Sequence, residues 1–162
     1  MKNVEYEIKI KQVTPYITSM DGLFSDLYNQ FQKEDFRTRE NIPDLSGIYV
    51  FYKESKPIYV GRANNMRQRI QLHTRPSSGS ESANFAFNLT RMELAEKFGQ
   101  IGREDLKRTP EFIDVFTKHK ENLYASKIKC IEIENDIIQT MFEPYLSFKL
   151  GTYPHNNTFE NH

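Results

Sequence analysis

The residues best suited to chemistry lie close together in the chain: Tyr49, Tyr59, Arg62, Arg69 and His73. Arginine presents a planar fork that donates charge-assisted, two-pronged hydrogen bonds, a geometry that phosphate oxygens accept. Tyrosine and histidine carry groups that pass or accept protons. His73 follows Arg69 by four residues, so on a helix the two share one face and can meet the same phosphate. Anion clamps beside proton carriers suit the hydrolysis of a phosphate ester, which needs stabilised charge on the phosphoryl oxygens and water made nucleophilic. Taken singly, each residue has an ordinary explanation: hairpin tyrosines pack on cores, arginines line solvated faces, and a lone histidine often has no task.

The rest of the composition narrows the setting. Lysine plus arginine number 22 and aspartate plus glutamate 22, so binding to nucleic acid through overall charge is excluded and any such affinity must be local. One basic window exists: Lys53, Lys56, Arg62, Arg67, Arg69 and Arg75 are accompanied between residues 52 and 76 by Glu54 alone among acids. Cys130 is the single cysteine, which rules out an intrachain disulfide and leaves a cysteine-based zinc site without its usual ligands. In a strand it reads as a small buried hydrophobe. With 162 residues, 38% of them hydrophobic, the chain can bury one real core. No stretch has the apolar length to cross a bilayer and the charged opening Met1–Glu5 does not resemble a secretory signal, so the expected address is cytoplasmic.

The candidate residues must be held by elements that the patterning predicts. Val4, Tyr6, Ile8 and Ile10 alternate with charged residues and predict an outlying strand; Asp21 then caps a helix carrying Leu23, Phe24, Leu27, Tyr28 and Phe31. Gly47–Tyr52 and Ile58–Gly61, separated by the polar turn 53–57, predict an antiparallel hairpin that carries both tyrosines. Asn64 or Asn65 caps a helix with Met66, Ile70 and His73. Residues 77–82 form a loop, residues 84–98 a helix, and Pro110 opens another helix through Phe112, Val115 and Phe116. Ile128, Cys130, Ile131 and Ile133 make a third strand, and Asn135 or Asp136 caps a last helix bearing Ile137, Ile138, Met141, Phe142 and Tyr145. Pro144 lies inside that helix, where it removes a hydrogen bond, so a bend at Glu143 is expected. The predicted class is α/β in the α+β sense, a small three-stranded antiparallel sheet flanked by helices.

Gly47-Ile48-Tyr49, Tyr59-Val60-Gly61 ten residues on, a basic residue directly after the second glycine, then Arg69 and His73 one helix later: this ordered set resembles the core signature of the GIY-YIG nuclease superfamily. The ending Asn157–His162 is similar to that of its small, stand-alone, restriction-endonuclease-like branch. The resemblance runs from Gly47 to His162, leaves residues 1–40 unexplained and implies a domain over 45–162, one compact unit; from patterning, 1–44 are expected as an N-terminal strand and helix packing on its core. It implies a magnesium-dependent DNA endonuclease, with another divalent cation such as Mn2+ as a substitute. Tyr49 would be the general base, although a free phenol ionises near pH ~10, so nearby cations must lower it. Tyr59 or His73 would relay or accept the proton, while Arg62 and Arg69 would clamp the phosphate. Glu143, with Glu134 as the alternative, would hold the metal, and Asn157, with Asn156 as its near alternative, would orient water or the glutamate. Arg67, Arg75, Asn84 and Arg91 are the expected DNA-backbone contacts. DNA is the expected partner, and breaking both strands of a duplex with one such site requires a homodimer or two visits. Two other functions compete: a DNA-binding module that keeps the fold without cleavage, and a protein that docks partners through its N-terminal segment.

Overall fold

The protein is described here from a computed structural model, covering the backbone of residues 2–153 and the side chains of residues 18–153. The chain divides into two units, Met1–Glu34 and Asp35–His162. The first is one helix, α1 (Lys2–Lys33). Residues 4–11, which alternation predicts as a strand, belong to it. Val4 and Ile8 are also four apart, and Glu5–Lys9 and Glu7–Lys11 stand at the spacing that favours helix, so the short alternation is outweighed. Because α1 runs straight through Asp21, that residue is not a cap; of the predicted stripe Phe24 and Phe31 are buried, Leu27 and Tyr28 half-buried and Leu23 exposed.

In the second unit three strands form an antiparallel sheet in the order β2-β1-β3: β1 (Gly47–Lys53), β2 (Lys56–Ala63) and β3 (Lys127–Glu132). β1 is central and buried from Gly47 to Tyr52, which explains its unbroken run of β-branched and aromatic residues. Tyr49 lies opposite Gly61 on one side and Cys130 on the other. Residues 35–44 go with this unit, since Arg37 exchanges two backbone hydrogen bonds with Ile128.

Among the described residues this unit also has five α-helices: α2 (Met66–Thr74), α3 (Asn84–Phe98), α4 (Arg103–Lys107), α5 (Phe112–Tyr124) and α6 (Asp136–Leu150). One sheet face, bearing Tyr49, Phe51, Ile128 and Cys130, joins a core with Met66, Ile70, Phe85, Phe87, Leu106, Phe112, Phe116 and Leu123 from α2 to α5. Strand alternation sends Ile48, Val50, Val60 and Arg62 to the other face, where α6 packs on β1 and β2.

The caps settle the two open choices. Asn65 accepts from the Gln68 N–H at 2.8 Å to start α2, and Asn135 accepts from the N–H groups of Ile137 and Ile138 at 3.0 Å to start α6. Gly151, at φ 69°, ends α6 in the left-handed conformation that glycine tolerates. α6 continues through Pro144, which leaves the Thr140 carbonyl without its helical donor. Pro110 lies in the turn ahead of α5, which begins at Phe112, and the short α4 carries no signal that periodicity predicts.

Candidate active site

Two glycines answer to close approach, Gly47 to the neighbouring strand and Gly61 to the tyrosines. A Cβ at Gly47 would run into the Ile131 carbonyl oxygen across the strand pair. A Cβ at Gly61 would stand 2.5 Å from Cζ and the hydroxyl of Tyr49 and 2.8 Å from Cε1 of Tyr59. Gly61 is therefore the gap into which the end of the Tyr49 ring fits.

Tyr49 is 1% exposed, and its hydroxyl lies 2.8 Å from Nε2 of the fully buried His73, delivered by α2. The rings of Tyr49, Tyr59 and His73 pack at centroid distances of 5.7–6.3 Å, and Tyr59 stacks on Phe85 at 4.2 Å. His73 Nδ1 is buried with no partner. A buried N–H without an acceptor is the rarer kind of orphan, so the hydrogen is assigned to Nε2, which donates to the Tyr49 oxygen.

Electrostatics set the resting state. Burial pushes the Tyr49 hydroxyl well above its ordinary value, with the neighbouring Tyr59 adding to the rise; Arg69 pulls the other way and is outweighed. Tyr59 is pushed up to about 12, again by burial first and then by Glu143. Burial and then Arg69 bring His73 down to about 3, so its imidazole is neutral across the physiological range. The expectation that cations would lower Tyr49 is thus met in sign by Arg69 but reversed in sum by desolvation.

Arg69 shares this cluster, and its Nη1 donates to the Ser82 carbonyl at 3.1 Å. Across the edge strand β2, Arg62 Nε donates to Glu143 Oε2 at 3.1 Å. Glu143 keeps only 16% of its side-chain exposure against 44% for Arg62, so the carboxylate sits inward and the guanidinium outward. Burial raises the Glu143 carboxyl above its ordinary value while Arg62 lowers it. The charge of Glu143 adds to the rise on both tyrosines, so its carboxylate stands near them although it comes from the other sheet face.

Glu134 is exposed and precedes α6, and Glu143 is the glutamate paired with Arg62. Among the described residues there is no group of three His, Cys, Asp or Glu side chains able to cage a metal. A magnesium ion would have to be held here in the sparse manner open to it, through one carboxylate, water and phosphate oxygens. Glu143 is an inward carboxylate paired with Arg62, which a divalent cation would stabilise in its charged form.

The other expected residues are dispersed. Arg67 Nε donates to the Ile42 carbonyl at 2.7 Å and pairs with Asp44 at 3.4 Å, fixing the chain ahead of β1. Asn84, with its amide nitrogen toward Ser80 and Glu81, donates to their carbonyls and secures the loop before α3. Arg75 is exposed at the end of α2 and Arg91 half-buried on α3. Asn156 and Asn157 lie outside the described residues. Phe85, which apolar spacing places on the 84–98 helix, carries no chemical signal in the sequence, yet it backs Tyr59. Gln139 carries none either; it is fully buried one turn before Glu143 and donates at 2.6 Å to both Ser46 Oγ and the Ile133 carbonyl. A cavity of about 600 Å³, lined by Ile58, Phe85, Leu89, His119 and Leu123 among others, contains none of the polar groups of the site.

Comparison with known proteins agrees with this geometry. The chain is 38% identical over 45 residues to the UvrABC system protein C of Fervidobacterium nodosum and 41% identical over 44 residues to that of Deinococcus radiodurans. These stretches cover 28% and 27% of this chain but 8% and 7% of the two relatives, so it spans a small fraction of their length. No solved structure matches. Residues 45–143, well over half of the 162, match the model of the GIY-YIG catalytic domain, and the chain belongs to the GIY-YIG nuclease family.

Proposed function

We propose that the protein is a metal-dependent DNA endonuclease that hydrolyses phosphodiester bonds at the site over β2. The observation that carries this reading is the convergence of the Tyr49–His73 pair and Arg69 from one sheet face with Glu143 and Arg62 from the other. Arg69 and the outer Arg62 offer guanidinium forks to a phosphate arriving at the edge strand. His73, neutral and donating through Nε2, and Arg69 both favour negative charge on the Tyr49 oxygen. Once charge in the site overcomes the cost of burial, the Tyr49 phenol releases its own proton to solvent, and the phenolate then takes one from the attacking water. Tyr59, stacked on Phe85, keeps the Tyr49 ring in place. Glu143 would hold a magnesium or manganese ion, which when bound neutralises charge growing on the phosphoryl oxygens.

Supercoiled plasmid incubated with wild type, Tyr49→Phe and Glu143→Ala, each with magnesium and with chelator, tests the reading. Nicked or linear product from wild type alone, abolished by chelator, is expected. Salt-sensitive plasmid binding with no product from any protein would instead leave a DNA-binding module that keeps the fold without cleavage, or an enzyme with a narrower substrate.

A further inference from the structure

α5 presents Phe112, Phe116, Lys120 and Leu123 to the core, so a lysine occupies an apolar stripe. Lys120 is only 5% exposed and has no carboxylate partner among the described contacts. Its Nζ donates instead to the carbonyls of Pro76 and Ser78, at 2.6 and 3.0 Å, and lies 4.8 Å from the centre of the Phe116 ring. Burying an ammonium is costly, and two carbonyl bonds with a ring face are the compensation. The segment it gathers, residues 75–83, joins α2 to α3; besides Asn84, two more cations pin it. Arg103 Nη1 donates to the Ser80 carbonyl at 3.1 Å while its guanidinium covers Phe87, and Arg69 Nη1 donates to the Ser82 carbonyl at 3.1 Å.

Three cations thus hold alternate carbonyls of one short loop, and the last of them belongs to the active site. Apart from the buried Ala83 the loop has little apolar surface, so beyond its own turn hydrogen bonds its place against α2, α4 and α5 depends on these cations. We propose that Lys120 is a positioning residue for catalysis, holding the Pro76–Ser78 end of the loop so that the Ser82 carbonyl presents one arm of Arg69 to the Tyr49–Tyr59 cluster. The inference rests on the nuclease reading above, because it concerns how Arg69 is aimed rather than whether the site cuts.

The test uses Lys120→Met, which keeps length and removes the donors, with two readouts. The first is the NMR resonance of the Arg69 Nε–H group, identified by its loss in Arg69→Lys; the second is plasmid cleavage under saturating magnesium. A displaced Arg69 resonance with a rate lowered roughly a hundredfold, the scale of a 1 Å misplacement, and a folded near-ultraviolet spectrum are expected. If Lys120→Met does not fold, Lys120→Gln, which retains amide donors, is put to the same two measurements with a smaller displacement and loss expected. An unmoved Arg69 resonance overturns the inference, as does a moved resonance with unchanged cleavage. Wild type that cuts no DNA would instead overturn the functional reading on which the inference depends.

Discussion

Tyr49 and His73 illustrate how burial sets the chemistry of a residue. A neutral imidazole held at about 3 against an ordinary 6.5 is a store of acid sensitivity. Below pH ~6.5 the unfolded chain takes up a proton that the folded chain refuses, so stability is whole above that value and declines as pH falls toward 3. At about 1.4 kcal/mol per pH unit, this group alone removes about 2 kcal/mol between pH 6.5 and pH 5. His73→Gln retains a donor for Tyr49 and cannot be protonated in that range. Urea denaturation of the two proteins at pH 7.5 and pH 5 should show wild type losing more stability than His73→Gln by about that amount; equal losses would mean that His73 is accessible to protons in the folded state. The tyrosine follows the opposite sign. Because its hydroxyl is pushed up by burial, it is a neutral phenol in the resting site and adds no stability lost at moderate alkaline pH.

At the scale of elements, α6 carries Glu143 to its place, and two groups on that helix hold it in different ways. Asn135 caps an exposed helix start, whereas Gln139 is fully buried and ties α6 to Ser46 before β1 and Ile133 after β3. Asn135→Ala should cost about 1 kcal/mol, the usual loss of a cap, and leave cleavage nearly unchanged. Gln139→Leu should cost about 1–3 kcal/mol and also raise the magnesium concentration needed for cleavage, since Glu143 is one turn further along. Thermal denaturation and magnesium titrations of both variants check the contrast, and identical effects would show that α6 moves as a rigid piece wherever it is loosened. Much of this architecture was legible beforehand. The hairpin, the helix over 84–98 and the capped last helix all follow from strong punctuation or sustained periodicity. The strand expected at 4–11 became helix because four alternating pairs are too few to outweigh helical spacing of the same residues. In the site, ordered motif residues were legible one by one. The gap at Gly61, the backing of Tyr59 by Phe85 and the clamp by Gln139 were not, because each depends on which distant residue arrives alongside.

For the molecule as a whole, a net charge of zero means that DNA must be attracted by a patch, and the structure separates arginines that are free to take part from those already engaged. Arg67 is held by the Ile42 carbonyl and Asp44, ahead of the strand that carries Tyr49. Arg75 is exposed beyond the last turn of α2, on the chain leading into the loop that Arg69 contacts. Salt dependence distinguishes these roles, because each phosphate neutralised contributes about −0.9 to the slope of log affinity against log salt on duplex DNA. Arg75→Gln should weaken binding and reduce the magnitude of that slope by about 0.9 without altering the denaturation midpoint. Arg67→Gln should lower the midpoint, because it abandons a buried-side carbonyl bond, and leave the slope as it was. Fluorescence anisotropy on one duplex across a range of salt, paired with thermal melts, reads both quantities. A slope reduced by Arg67→Gln and untouched by Arg75→Gln would place the DNA path on the β1 side of α2, over the 42–44 segment, and away from the 75–83 loop.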